Sequence, residues 1–490
     1  MGFNFYICKG FIMKNYLFSA VAAMALTGNV TAATTNHDPL IESLKQEIEL
    51  LKKQQKATEA KMERLSETLT EVKIHDAKDN IKFSIDFRNS FNAIEYKYNK
   101  YSYGGVDYSG TRASNRSLIT QRLYLGMMSS PVPGLTFKGK FGVYKTWGGN
   151  NTVADKSIKE WSESSKAVDN EFKIREAYFV YNTALLEGDL PFAFSVGRRP
   201  SADGFLANHR EHNESPNSPL AHITNMEVDA AMVKFGLETY LGLPSSYIKL
   251  VLGKAHDGVD QIYDSVSGYA PYAHDKDLGS EADEDVDFFV TVLNAYDNGQ
   301  YHLMAQHATI YDTKGENVAT SDIKVGAGEA NLDAVSLQIN GIGDMISDFL
   351  DDTKLFASWA TTRYTPESGY SLLGETSEKS GSSYWVGAVI PDMITESGKL
   401  GVEYNQGSKY WTPMTWAEDT VIGSKIAARG HAYEAYWNTQ LFGLENLSSQ
   451  IRYTKIQHDY TPNIRCSGWV APEKVDIEAE NLRLMVRYMY

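Results

Sequence analysis

The sequence predicts an all-β protein, a transmembrane antiparallel β-barrel of about sixteen strands preceded by an N-terminal α-helical coiled-coil segment. Three observations carry this prediction. From residue 81 onward, segments with a period of two recur, each near the roughly ten residues needed to cross a bilayer at a tilt. Long and short connectors between those segments alternate strictly. The last segment ends the chain on an aromatic residue, Tyr490.

Residues 1–32 read as a secretory signal. Lys14 supplies the positive start, Tyr16 to Leu26 is an apolar run too short to span a bilayer, and Val30-Thr31-Ala32 offers small residues for cleavage. The competing reading is an uncleaved membrane anchor. A periplasmic coiled coil is expected over 38–76, because Ile41, Leu44, Ile48, Leu51, Gln55, Thr58, Met62, Leu65, Leu69 and Val72 fall on alternating three- and four-residue steps. At 1.5 Å per residue the rod is roughly 50 Å long. The alternative is one amphipathic helix folded back on the body. A narrow stripe suits a partner helix better than a broad core, so residues 41–72 are expected to join copies of the chain, with a homotrimer as the expected state.

The barrel is expected over 80–490. Its first strand, 81–91, sets Ile81, Phe83, Ile85, Phe87 and Phe91 on one face against Lys82, Ser84, Asp86, Arg88 and Ser90 on the other. Further strands are expected at 117–127, 136–144, 172–181, 192–199, 227–237, 247–254, 286–294, 301–310, 331–339, 354–361, 384–390, 399–405, 430–441, 447–456 and 481–490. Short connectors carry turn chemistry, such as Pro131-Val132-Pro133-Gly134 and Asp297-Asn298-Gly299. Putting every long loop at one end suits a barrel with short periplasmic turns and long extracellular loops, both termini being periplasmic. Cysteines placed at 145–171 or 406–429 should therefore react with an impermeant reagent on intact cells. In the last strand Leu482, Leu484, Val486, Tyr488 and Tyr490 share one face, and Arg483, Met485 and Arg487 the other. Tyr178, Tyr247, Tyr301, Trp359, Trp385, Tyr404, Trp437 and Tyr453 sit near strand ends, where aromatic girdles are expected.

Composition removes other classes. Sixty-two acidic against 47 basic residues give a net charge of -15, which disfavours nucleic acid as a partner. The mature chain has no apolar run of the roughly 20 residues a spanning helix needs. Cys8 and Cys466 are the only cysteines, so disulfide scaffolds and zinc ribbons are excluded, and the role of Cys466 stays open. His209-Arg210-Glu211 imitates the H-x-E of zinc deaminases but lacks the cysteine pair, and His209, His212 and Glu214 read as loop residues rather than metal ligands. No nucleophile-elbow, phosphate-loop or HExxH motif occurs, so no enzyme, cofactor or metal is expected.

The block Gly197-Arg198-Arg199-Pro200-Ser201-Ala202-Asp203-Gly204-Phe205, continuing through His209-Arg210-Glu211 to Pro216, Pro219 and Asn225, is the most specific part of a wider likeness. Together with the leader, the heptads, the Asp86-Phe87-Arg88 strand and the strand from Gln121 to Met127, it resembles a porin-like outer-membrane protein family of unknown function. The resemblance implies an outer-membrane channel, expected to pass small polar or charged solutes by passive diffusion, with outer-membrane lipid, small solutes and further copies of the chain in the homotrimer as expected partners. It supplies no substrate. A closed structural or adhesin-type barrel is the alternative.

Sixteen-stranded porins resemble one another in folding the loop after the fifth strand into the lumen, and here that connector is 200–226. It carries Asp203, Glu211 and Glu214. The polar faces of strands one to five carry Lys82, Arg88, Arg122, Lys138, Lys140, Lys173, Arg175 and Arg199. An acidic loop facing a basic wall is expected to set a transverse field across a constriction. The competing reading makes Arg198 and Arg199 members of a solvated ion-pair network at the rim.

Overall fold

The computed structural model describes residues 81–103, 105–147, 172–255, 286–343, 346–395, 397–415, 420–462 and 471–490. The expected signal segment, the coiled coil and Cys466 lie outside the described residues.

Sixteen antiparallel strands close into one barrel. They are β1 (Lys82–Lys100), β2 (Thr111–Val132), β3 (Leu135–Thr146), β4 (Lys173–Leu185), β5 (Leu190–Ser201), β6 (Thr224–Gly236), β7 (Tyr247–Ala255) and β8 (Val286–Asp297). The second half comprises β9 (Tyr301–Ile310), β10 (Gly328–Asn340), β11 (Lys354–Pro366), β12 (Lys379–Pro391), β13 (Lys399–Gly407), β14 (Gly430–Leu441), β15 (Leu444–Tyr460) and β16 (Lys474–Met489). Each strand pairs with its neighbours in sequence, and β16 returns to β1 in a register running from Asp86 opposite Met489 to Lys100 opposite Asp476. Ile85 and Tyr490 exchange backbone hydrogen bonds of 2.8 and 2.9 Å, so the terminal aromatic residue completes the closure. A closed sheet leaves no unpaired edge.

Every expected strand is present, and most extend beyond the expected limits. Periodicity stops being informative where a strand leaves its amphipathic zone, yet backbone pairing continues. Short turns join β2–β3, β4–β5, β6–β7 and the later pairs at one end. Two of them hold single helical turns, α1 (Glu238–Leu241) and α2 (Asp348–Asp351), the latter capped by the Ser347 hydroxyl accepting from the Leu350 N–H.

The wall is inverted relative to a water-soluble sheet. Leu252, Trp359, Val402 and Leu482 are more than half exposed on the outside, whereas Arg452, Arg483, Glu434 and Asn481 are almost fully enclosed. Burying apolar area from water is favourable by about 25 cal/mol per Å², so this polarity suits a wall bathed in hydrocarbon around a polar interior. The expected aromatic girdle holds only in part. Tyr301, Trp359 and Tyr453 face outward, but Tyr178 and Trp385 are buried inside and Tyr247 lines an internal cavity. Strand parity decides the face, and proximity to a strand end does not.

Candidate pore constriction

The connector between β5 and β6 is shaped before it meets the wall. Gly197 adopts φ +128°, and a Cβ there would lie 2.2 Å from the Ala177 carbonyl oxygen. A Cβ on Gly204 would lie 2.2 Å from the Pro219 carbonyl oxygen, where the two limbs of the loop meet as the short strands Gly204–Phe205 and Asn217–Leu220. Both glycines belong to the motif block, and only a residue without a side chain allows these approaches. Asp203, Leu206 and His212 take left-handed backbone conformations. Asn208 holds the tip by accepting from the Leu206 N–H at 3.1 Å and donating to the Asn213 carbonyl at 2.8 Å.

The loop then docks on the enclosed wall. His209 Nε2 bonds Gln338 of β10 at 2.7 Å, and Gln450 of β15 donates to the Arg210 carbonyl at 2.7 Å. Gln306 of β9 accepts from the Leu220 N–H at 2.7 Å, while His222 bonds Ser358 of β11 at 2.7 Å and Ser383 of β12 at 3.0 Å. Arg88 of β1 pairs with Glu211 at 2.8 Å, and Arg487 of β16 donates to the Glu211 carbonyl at 2.9 Å. Phe205, Leu206, Leu220 and Ile223 join an apolar cluster with Leu332, Phe356 and Trp385. Polar ties therefore fix the loop's position, and apolar burial fills the space between it and the β8–β14 wall.

A second inward segment was not foreseen. Residues 406–429 were expected at the cell surface, yet Trp411, Thr412, Thr415 and Ala428 are buried. Trp411 donates to the Ile426 carbonyl at 2.8 Å, and Arg429 donates to Trp411 and Thr412 at 2.9 and 2.6 Å. Met414–Thr415 pairs in parallel with Thr224–Asn225. The physical reason is apolar content: Trp411 and Ile426 join the cluster behind the first loop, and Ile422 joins a second one with Ala432, Ile456 and Ala479, rather than facing water.

Around Glu211 the charges form one network. Arg487 clamps Asp86 through two bonds of 2.8 Å, Arg122 reaches the same carboxylate at 2.7 Å, and Arg483 donates to Asn92 at 2.7 Å. Lys425, from the second inward segment, bridges Glu403 at 2.5 Å and also pairs with Glu434. Arg210 and Arg452 lie 3.8 and 3.9 Å from Glu434. Burial pushes the Glu211 carboxyl up, but Arg88, Arg210, Arg122 and Arg452 outweigh it and hold the group well below the usual carboxylate range. Burial lowers His209 to about 4, opposed by its bond to Gln338, and burial alone lowers His222 to about 3.

The candidate residues named from the sequence divide into groups. Arg88 and Glu211 meet each other. Arg122 pairs with Asp86 and lies 4.0 Å over the Tyr124 ring, where the Arg175 guanidinium also sits at 4.5 Å. Arg175 pairs with Glu227, and Lys140 with Glu176. A register shift in β4 against β3 places Arg175 and Glu176 consecutively inside. Lys82 and Lys138 are exposed near the short-turn end, and Lys173 is exposed at the start of β4. Arg199 lies inside, 5.0 Å over Tyr178, whereas Arg198 pairs with Asp229 at 2.8 Å on a part-exposed surface. Asp203 holds one of the left-handed turns. Glu214 pairs with Lys399 of β13 at 3.1 Å, on the opposite wall from the basic strands that the sequence put before it.

Sequence reasoning missed Arg210, Arg452, Glu403, Glu434 and Lys425 as members of this network. It placed Arg483 and Arg487 on the polar face without linking them to the loop. Strand alternation could have flagged the wall residues; nothing local marks Lys425.

Solved structures similar in fold include the high-pH structure of Pseudomonas putida OprB, at 11% identity over 86% of this chain and 96% of that one, with TM-score 0.44. The outer membrane channel DcaP of Acinetobacter baumannii is similar at 15% identity over 84% of this chain and 97% of that one, with TM-score 0.41. An anion-selective porin from Comamonas acidovorans is similar at 12% identity over 84% of this chain and 100% of that one, with TM-score 0.44. No curated protein matches the sequence. From within β2 to near the end of β16, residues 112–487 match the family described as Protein of unknown function (DUF3373), and the chain, a closed sixteen-stranded barrel with two connectors packed inward, belongs to that family.

Proposed function

We propose that the protein is an outer-membrane channel for passive diffusion of small polar or charged solutes, narrowed by the segment from Ala202 to Ile223. The observation that carries this reading is the asymmetric interior. The β6–β14 side is packed with the apolar cluster, while the β1–β5 side keeps Lys82, Lys138 and Lys140 at least partly open to solvent. A polar lining beside a docked loop supports a narrowed passage. Cations outnumber carboxylates around Glu211, which favours anions. Lipid contacts the apolar outer face, and trimerisation through residues 41–72 completes the proposal.

Single-channel recording of the purified protein in a planar bilayer under a KCl gradient tests it. Discrete conductance steps with a reversal potential on the anion side are expected. A protein that inserts without conductance is a closed structural barrel, and the channel reading fails.

A further inference from the structure

A cavity of about 550 Å³ opens at the short-turn end of the barrel, between the loop residues Pro216–Asn217 and the inner wall of β4 to β9. Lys234 of β6, Tyr247 of β7 and Ser246 are among its lining residues. Lys234 stands directly opposite Lys249 in the β6–β7 register. Their ammonium groups lie 3.9 and 5.9 Å from the centroid of the same Tyr247 ring. Like charges directly opposed across an antiparallel pair oppose sheet formation, so the wall sets two amines side by side where a bound anion would offset their repulsion. Among the described residues Lys234 forms no salt bridge, and its aromatic contact leaves its hydrogens to the cavity.

The two acids lining the space are already engaged by turn backbone. Glu238 accepts the Ser245 N–H at 3.0 Å, and Asp297 accepts the Gly299 N–H at 3.0 Å. Ser246 is 2% exposed, and its hydroxyl has no hydrogen-bond partner. Buried hydroxyls are nearly always satisfied. Oxygens of an anion beside Lys234 would accept from the ammonium and from such a hydroxyl together.

We propose that this cavity binds a small oxyanion, a carboxylate or a phosphate, on Lys234, with Ser246 as an added donor and the Lys249 amine beside it in the wall. The site deepens the channel reading and rests on it for the route by which the anion arrives. The chemistry common to both ligand types is a compact group of negative oxygens; the volume admits a molecule several times that size.

Equilibrium dialysis of the full chain in detergent micelles at low ionic strength, with inorganic phosphate and separately with succinate, tests the site. Saturable binding of at least one is expected, and the one bound more tightly identifies the ligand type. Lys234→Gln with Lys249→Gln should weaken that binding at least tenfold, Lys234→Arg should retain it, and Ser246→Ala should weaken it a few-fold while leaving the wall charges intact. Absence of binding by the folded wild type, or equal binding by the folded double variant, overturns the proposal. If the double variant does not fold, unchanged binding by Ser246→Ala overturns it. Bilayer recordings on the same samples separate the two readings: binding without conductance keeps the site and removes the channel, and conductance without binding does the reverse.

Discussion

Replacing Glu211 with Gln removes the one loop carboxylate that Arg88, Arg210 and Arg452 share, at 2.8, 3.3 and 4.0 Å. All four side chains are at most 9% exposed, so the lost charge is not replaced by bulk water. Breaking a buried pair by removing one partner costs about 3–5 kcal/mol, because it strands the remaining charge. Applied to loop docking, that is about two to four powers of ten in the ratio of docked to undocked loop. The ties of His209, Leu220 and His222 and the apolar cluster survive, so the barrel itself should stay closed. Single-channel recording should show a noisier open state of larger conductance, with the reversal potential shifted further toward anions. Protease cleavage within 202–223 should accelerate. Glu211→Asp, which keeps the charge on a shorter arm, should fall between the two. Wild-type noise, conductance, ion preference and cleavage rate in Glu211→Gln would refute the claim that this carboxylate pins the loop.

Neutralising Arg88, Arg122 and Arg175 together to Gln should move the reversal potential toward cations and enlarge the conductance, as measured in the same bilayers. Gly197→Val places a Cβ against the Ala177 carbonyl and forces a β-branched residue to a left-handed φ; a loss of about 3 kcal/mol or more is expected, read as a lower unfolding midpoint in urea with folded vesicles. Deleting 38–76 should convert trimers to monomers in mild detergent, and an unchanged oligomer would assign the segment another task. Acidification should loosen the loop: His209 and His222, lowered to about 4 and 3, contribute stability fully above their ordinary range near 6.5 and lose it as pH falls below that value, by roughly 2 kcal/mol each at pH 5. Glu211 titrates well below its ordinary range and stays ionised across that window. Conductance noise should therefore rise between pH 7 and 5 and lose this response in the His209→Gln, His222→Gln double variant.

The sequence by itself determined the wall. Period-two alternation is a local property, and it set the strand number, the order of long and short connectors and the inward placement of Arg88, Arg122, Lys140 and Arg199, because one residue step turns a side chain from one face to the other. It also marked the loop through Gly197 and Gly204, whose close approaches depend on backbone geometry that no other residue permits. Tertiary structure decided which charges meet. Glu211 could be read as facing a basic wall, but its assignment to Arg88, and that of Glu214 to Lys399 on the far side, depends on the curvature that brings β16 back to β1 and on the direction the loop takes across the interior. The second inward segment was illegible because its direction is set by packing against the first loop. Trp411 and Lys425 sit in a connector whose mixed composition resembles a surface loop, and only its folding inward between the two strands it joins brings Lys425 to the Glu403–Glu434 pair. Contacts between residues more than a hundred positions apart carry no local sequence signal, because their partners are chosen by the shape of the closed sheet rather than by the chain next to them.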